Sequence, residues 1–142
     1  MLDGWHEGQL AGSGTVVWHA RAKLAAGEIN EDQFLDVACA SAPSAGHCNT
    51  MGTAMTMNVV AEGLGLSLTG CAAIPAPYRE RAQMAYATGL RIVDMAYEDL
   101  RPSRILTRNA FLNAIKLVSV IGGSPNAQPH IVAMARHAGL EI

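Results

Sequence analysis

The 142-residue chain reads as mainly α-helical, and three observations carry that reading. Half of its residues are hydrophobic but only 5% are aromatic. A core must therefore be built from Ala, Val, Leu, Ile and seven Met, side chains that suit close helix–helix contact. Apolar residues recur at helical rather than alternating spacing, most clearly in Ala82, Ala85, Tyr86, Gly89, Leu90, Val93, Ala96, Tyr97 and Leu100. Capping residues and glycines punctuate the chain at helix-length intervals.

Residues 1–14 read as loop, because Gly4, Gly8, Gly12 and Gly14 interrupt a polar stretch. A short helix is expected from Thr15 to Ala26, stopped by Gly27. Asn30-Glu31-Asp32-Gln33 carries an N-cap, acidic first-turn residues and a Gln able to complete a capping box. The helix it opens turns Phe34, Leu35 and Ala38 inward and fades near Ser41, and residues 43–49 are loop. The next helix is expected from Thr50 to Leu64, capped by Asn49 or Thr50 and frayed by Gly63 and Gly65. Leu66-Ser67-Leu68 fits a short strand before a turn at Thr69-Gly70. Ile74 to Pro77 reads as an extended linker, with Pro77 as the first residue of the following helix. That helix carries the stripe named above, with Arg79, Glu80, Arg91, Asp94 and Glu98 opposite, and Pro102 is expected to end it. Thr107 caps a helix from Arg108 to Ile121, ended by Gly122-Gly123, and a last helix runs from Pro129 to Ala138 and closes on Gly139. There is no internal repeat.

Composition removes several classes of function. The net charge is −2, and Lys and Arg are dispersed, so there is no electrostatic footprint for nucleic acid or an anionic membrane surface. The long charge-poor stretch is broken by His, Asn, Ser, Thr, Gly and Pro, which excludes a lipid-facing span. The opening Asp3, Trp5, His6 and Glu7 do not form a targeting segment, so a cytoplasmic location is expected. Cys39, Cys48 and Cys71 include no CxxC pair, which argues against a disulfide framework and a thiol-redox protein.

The stretch from Gly46 to Asn58 stands out. Between Asp36 and Arg79 the only formal charge is Glu62, so Cys48 lies in the least solvent-like part of the sequence. With a helix starting at Thr50, its thiol would sit at the positive end of a helix dipole, a setting that favours a thiolate. The competing reading is a small buried hydrophobe. His47 is adjacent, but sequence neighbours rarely aim at one point, so a Cys–His dyad has little support. Zinc or an iron–sulfur cluster takes about four ligands. The cysteines are 9 and 23 residues apart, which matches no compact ligand pattern. Cys39 and Cys71 read as core packing, and Gly12-Ser13-Gly14-Thr15 as a loop with a helix cap or an anion cradle. Gly122-Gly123-Ser124-Pro125-Asn126, followed by His130, is either a hydroxyl-orienting loop or a tight helix connection. Arg79-Glu80-Arg81 reads as a solvated first turn.

Taken together, His47-Cys48-Asn49-Thr50-Met51-Gly52-Thr53-Ala54, Leu64-Gly65-Leu66-Ser67-Leu68 and Gly70-Cys71-Ala72-Ala73-Ile74-Pro75-Ala76 resemble the dihydroxy-acid and sugar-acid dehydratase family. Gly122-Gly123-Ser124, Asn126 and His130 look like a second block of that family. Leu2-Asp3-Gly4-Trp5 and Tyr78-Arg79-Glu80-Arg81 are more like its aldonic-acid branch, the arabinonate and xylonate dehydratases.

The resemblance implies a hydro-lyase that converts a 2,3-dihydroxy acid, here a sugar acid, to a 2-keto acid. It implies an iron–sulfur cluster, 2Fe–2S or 4Fe–4S, held by three cysteines far apart in sequence. Cys48 matches the last of them, with His47 and Asn49 as residues that orient it. It further implies Mg2+, a base from a C-terminal domain, and a homo-oligomer in the full-length enzyme. Cys39 and Cys71 match no ligand. The chain enters the family pattern in mid-domain, so residues 1–142 are expected to be a single partial domain, an internal piece of an α/β N-terminal domain. The isolated chain is then expected to be inactive, with an unpartnered apolar helix face. Pro125 and Thr69 depart from the usual Thr and Pro. The alternative is a non-catalytic helical remnant or interaction module with Cys48 buried.

Overall fold

The computed structural model describes residues 1–142 and is mainly helical, with one small sheet. The chain divides into two compact units, Met1–Thr50 with Pro75–Pro77, and Met51–Ile74 with Tyr78–Ile142.

The first unit contains β1 (Gly4–His6), β2 (Gln9–Ala11), α1 (Thr15–Ala25) and α2 (Glu31–Ser41). The first fourteen residues are thus not all loop. β1 and β2 pair antiparallel, with Gly4 opposite Ala11 and His6 opposite Gln9. Glu7 and Gly8 between them both have positive φ, 49° and 76°, as a two-residue turn matched to strand twist requires. Strands of three residues are too short to show alternation, and Glu-Gly is a weaker turn signal than Asn-Gly. β1 lies on α2. A Cβ at Gly4 would meet Ala40 O and come within 2.6 Å of Ala11 O, so glycine is required there.

α1 ends as expected. Gly27 and Glu28 N–H return to Leu24 and Lys23 carbonyls, with Gly27 at φ 72°. The capping box also forms: Asn30 accepts from Gln33 N–H at 2.9 Å, and Gln33 accepts from Asn30 N–H at 3.0 Å. α1 and α2 pack together. Leu35, expected inside, is 55% exposed, and Cys39 is exposed rather than packed.

The second unit holds α3 (Thr53–Gly63), a 3-10 turn (Cys71–Ala73), α4 (Arg79–Tyr97), α5 (Pro102–Ile105), α6 (Arg108–Val120) and α7 (Ala127–His137). Its core is Val60, Leu64, Phe111, Ala114, Ala127, Ile131 and Ala135, where α3, α6 and α7 meet. Small residues set the spacing: a Cβ on Gly63 would lie 2.9 Å from Leu117 Cδ1 and 3.0 Å from Ala114 Cα. Leu66–Leu68 is turn and bend, not strand. Glu62, the lone charge of the long neutral stretch, explains why: its carboxylate accepts from the N–H groups of Gly70 and Ala72, which folds the segment back on α3.

Pro77 precedes α4 rather than opening it, and the N-cap is Tyr78. α4 ends at Tyr97, before Pro102, which instead starts α5. α6 and its Thr107 cap fall where expected, Thr107 Oγ1 accepting from Ala110 N–H at 3.2 Å. α7 starts two residues before Pro129. No residue of α4 is buried, and Tyr86, Leu90, Val93 and Tyr97 are 71%, 55%, 52% and 89% exposed. The expected unpartnered apolar face is present. No helix is long and apolar enough to cross a membrane.

Candidate functional site

Cys48 lies in the irregular segment between α2 and α3. The premise of a helix at Thr50 does not hold. α3 begins at Thr53 with Gly52 as N-cap, and no side chain caps it, so Cys48 is four residues short of the cap. The helix-dipole argument for its thiol falls with that boundary. The thiol is half-buried, which also removes the reading of Cys48 as a sealed core residue. Its Sγ lies 3.2 Å from Thr50 Oγ1.

The two flanking residues hold the loop. His47 Nδ1–H donates to the Cys48 carbonyl at 2.8 Å. Asn49 Oδ1 accepts from both the N–H and the hydroxyl of Ser13, each at 3.0 Å, and Asn49 N–H points to Ser13 Oγ at 3.4 Å. Ser13 sits just before Gly14, the N-cap of α1. The Gly12–Thr15 segment, read as cap or anion cradle, thus spends its serine on Asn49. Leu2 N–H donates to Ser44 Oγ at 2.8 Å, a second tether of the same loop.

The Gly122–Asn126 block sits within the second unit. Ser124 N–H donates to Thr56 Oγ1 at 3.0 Å, and that hydroxyl donates to Gly52 O at 2.8 Å. Asn126 Nδ2 donates to Thr53 Oγ1 at 2.9 Å. These bonds dock the loop on the first turn of α3, and Thr56 is fully buried. His130 is exposed on α7. Arg81, expected in a solvated turn, folds inward: Nη1 lies 3.0 Å from Cys71 Sγ, and Nη2 donates to Ile74 O.

Sequence reasoning missed Ser13, Thr53, Thr56, Glu62 and Arg81 as anchoring residues. Thr53 and Thr56 lie one turn apart in a charge-free stretch, a spacing that puts two hydroxyls on one face. Ser13 carried no signal that paired it with Asn49, 36 residues away.

No three His, Cys, Asp or Glu side chains come together to hold a metal ion. At this loop the chain offers one thiol, beside Thr50, a donor set that does not by itself fit an iron–sulfur cluster. What the fold defines is a mainly helical chain whose Cys48 loop is tethered on both sides of the thiol. The chain belongs to the Dihydroxy-acid/6-phosphogluconate dehydratase N-terminal family, which it matches over residues 3–142. It is 75% identical to D-xylonate dehydratase of Caulobacter vibrioides over all 142 residues, which are 24% of that protein. It is 46% identical to L-arabinonate dehydratase of Rhizobium leguminosarum bv. trifolii, covering 24% of it. It is 41% identical to dihydroxy-acid dehydratase of Caldanaerobacter subterraneus subsp. tengcongensis, covering 25% of it. In each case all of this chain is matched, so it spans about a quarter of the length of these curated relatives.

Proposed function

We propose that this chain is the Cys48-bearing part of a hydro-lyase that removes water from a 2,3-dihydroxy sugar acid to give a 2-keto acid. Family membership over residues 3–142 carries the reading. A sugar acid is favoured over a branched-chain dihydroxy acid by 75% identity to a protein named D-xylonate dehydratase, against 41% for one named dihydroxy-acid dehydratase. The reaction breaks the C2–H and C3–O bonds; the proton passes to a base, hydroxide leaves C3, and the enol tautomerises to the keto acid.

Cys48 would supply one thiolate to an iron–sulfur cluster whose other ligands, like the Mg2+ ligands and the base, come from outside these 142 residues. Such a cluster would supply Lewis-acid chemistry for loss of the hydroxyl. His47 and Asn49 fix the backbone on either side of the ligand, the outer-shell work that metal sites depend on. We place both units in one partial domain, and the assembled enzyme in the cytoplasm as a homo-oligomer.

The isolated chain should turn over neither D-xylonate nor L-arabinonate, as followed by 2-keto acid formation; measurable turnover would sink this account. DNA on both sides of the reading frame gives an independent check. An in-frame upstream segment carrying the other two cysteines and a long downstream domain are expected. Stop codons on both sides would instead favour a non-catalytic interaction module, the reading that the exposed α4 stripe supports.

A further inference from the structure

We infer that Ser13 is a positioning residue for Cys48, acting through Asn49. The role rests on the proposed ligand function of Cys48 for its purpose, but not for its test. Four polar groups of Ser13 and Asn49 are used reciprocally in three hydrogen bonds. The Ser13 N–H and hydroxyl both donate to Asn49 Oδ1 at 3.0 Å, while Asn49 N–H approaches Ser13 Oγ at 3.4 Å. One serine therefore fixes both the side chain and the backbone of the residue that follows the thiol. It stands between Gly12 and Gly14, in the turn that leads into α1, so the loop is tied to the segment just before the helix N-cap. The contact is local to Asn49. Ser13 is no part of a hydrophobic core; the buried residues of its unit are Gly4, Ala11, Ala20 and Ser41. Removing the hydroxyl should loosen the loop while α1 and α2 stay formed.

The test is the rate of iodoacetamide alkylation at each cysteine of the 142-residue chain, read by mass spectrometry of peptides. Exposed Cys39 and half-buried Cys71 serve as internal controls. Ser13→Ala should raise the Cys48 rate roughly two- to tenfold, the range that losing one hydrogen bond of ordinary net strength allows. The control rates should hold, and Ser13→Thr, which keeps the hydroxyl, should restore the original Cys48 rate. An unchanged Cys48 rate overturns the inference. A parallel rise at all three cysteines also overturns it, since that marks general loosening. Asn49→Ala, which removes the acceptor from the other side, should reproduce the Ser13→Ala pattern. The ligand reading fails separately, if Cys48→Ser leaves the iron content of the assembled dehydratase unchanged.

Discussion

Thr56 shows how much a single hydroxyl can organise in this chain. It is fully buried, donates to Gly52 O and accepts from Ser124 N–H, so it ties the first turn of α3 to the loop before α7. Thr56→Val keeps the shape but leaves Ser124 N–H without its acceptor, while Gly52 O retains Thr56 N–H, and should cost about 1–3 kcal/mol in urea unfolding. Gly123→Ala attacks the same joint sterically, because its Cβ would lie 2.9 Å from Thr56 Cγ2 and 3.1 Å from Val118 Cγ1. It should destabilise by about 1–3 kcal/mol, the usual effect of overpacking. Arg91 holds the Glu98 carboxyl below the ordinary carboxylate range through paired hydrogen bonds at 2.7 and 2.9 Å, on an exposed surface. Stability from this pair is present above the unfolded pKa of Glu98 and is lost as pH falls through the lowered one. Arg91→Ala should return the Glu98 titration to the ordinary range, observed by carboxyl NMR. Individual anchors of this kind were the least legible part of the sequence. Cys48 and Asn49 stood out, but the partner of Asn49 lies 36 residues away, and nothing in local pattern pairs them.

Helices were legible where caps and periodicity agreed. Asn30 with Gln33, and Thr107, sit at the helix starts that their side-chain chemistry dictates, and Gly27, Gly122 and Gly139 take the positive φ that ends a helix. Asn30→Ala should cost about 1 kcal/mol and shorten α2, as read by thermal unfolding and amide exchange. Boundaries failed where polar residues did other work. Asn49 and Thr50 looked like caps for α3, yet Asn49 is bonded to Ser13 and Thr50 lies against the thiol, so Gly52 takes the cap position. The Gly4–Ala11 hairpin was missed because its strands are only three residues long. α4 is the opposite case: its period was plain, but period alone does not say whether a stripe is covered. Replacing exposed Tyr86 and Tyr97 with Glu should reduce self-association in sedimentation without lowering the unfolding midpoint.

At the scale of the whole chain, family and fold class were readable because they rest on contiguous blocks: the Cys48 segment, the Cys71 segment and the Gly122–Asn126 loop. The site was readable only as one thiol. The chain spans about a quarter of the length of the curated relatives it matches. The most direct test is a transplant. The matching 24% of the Caulobacter vibrioides D-xylonate dehydratase is replaced by this chain, and the chimera is measured for iron, sulfide and D-xylonate dehydration. The account predicts a chimera that binds iron and sulfide and forms the 2-keto acid, and a Cys48→Ser version that folds but loses both. A folded chimera without iron, or a Cys48→Ser chimera that keeps its iron and its activity, would contradict it.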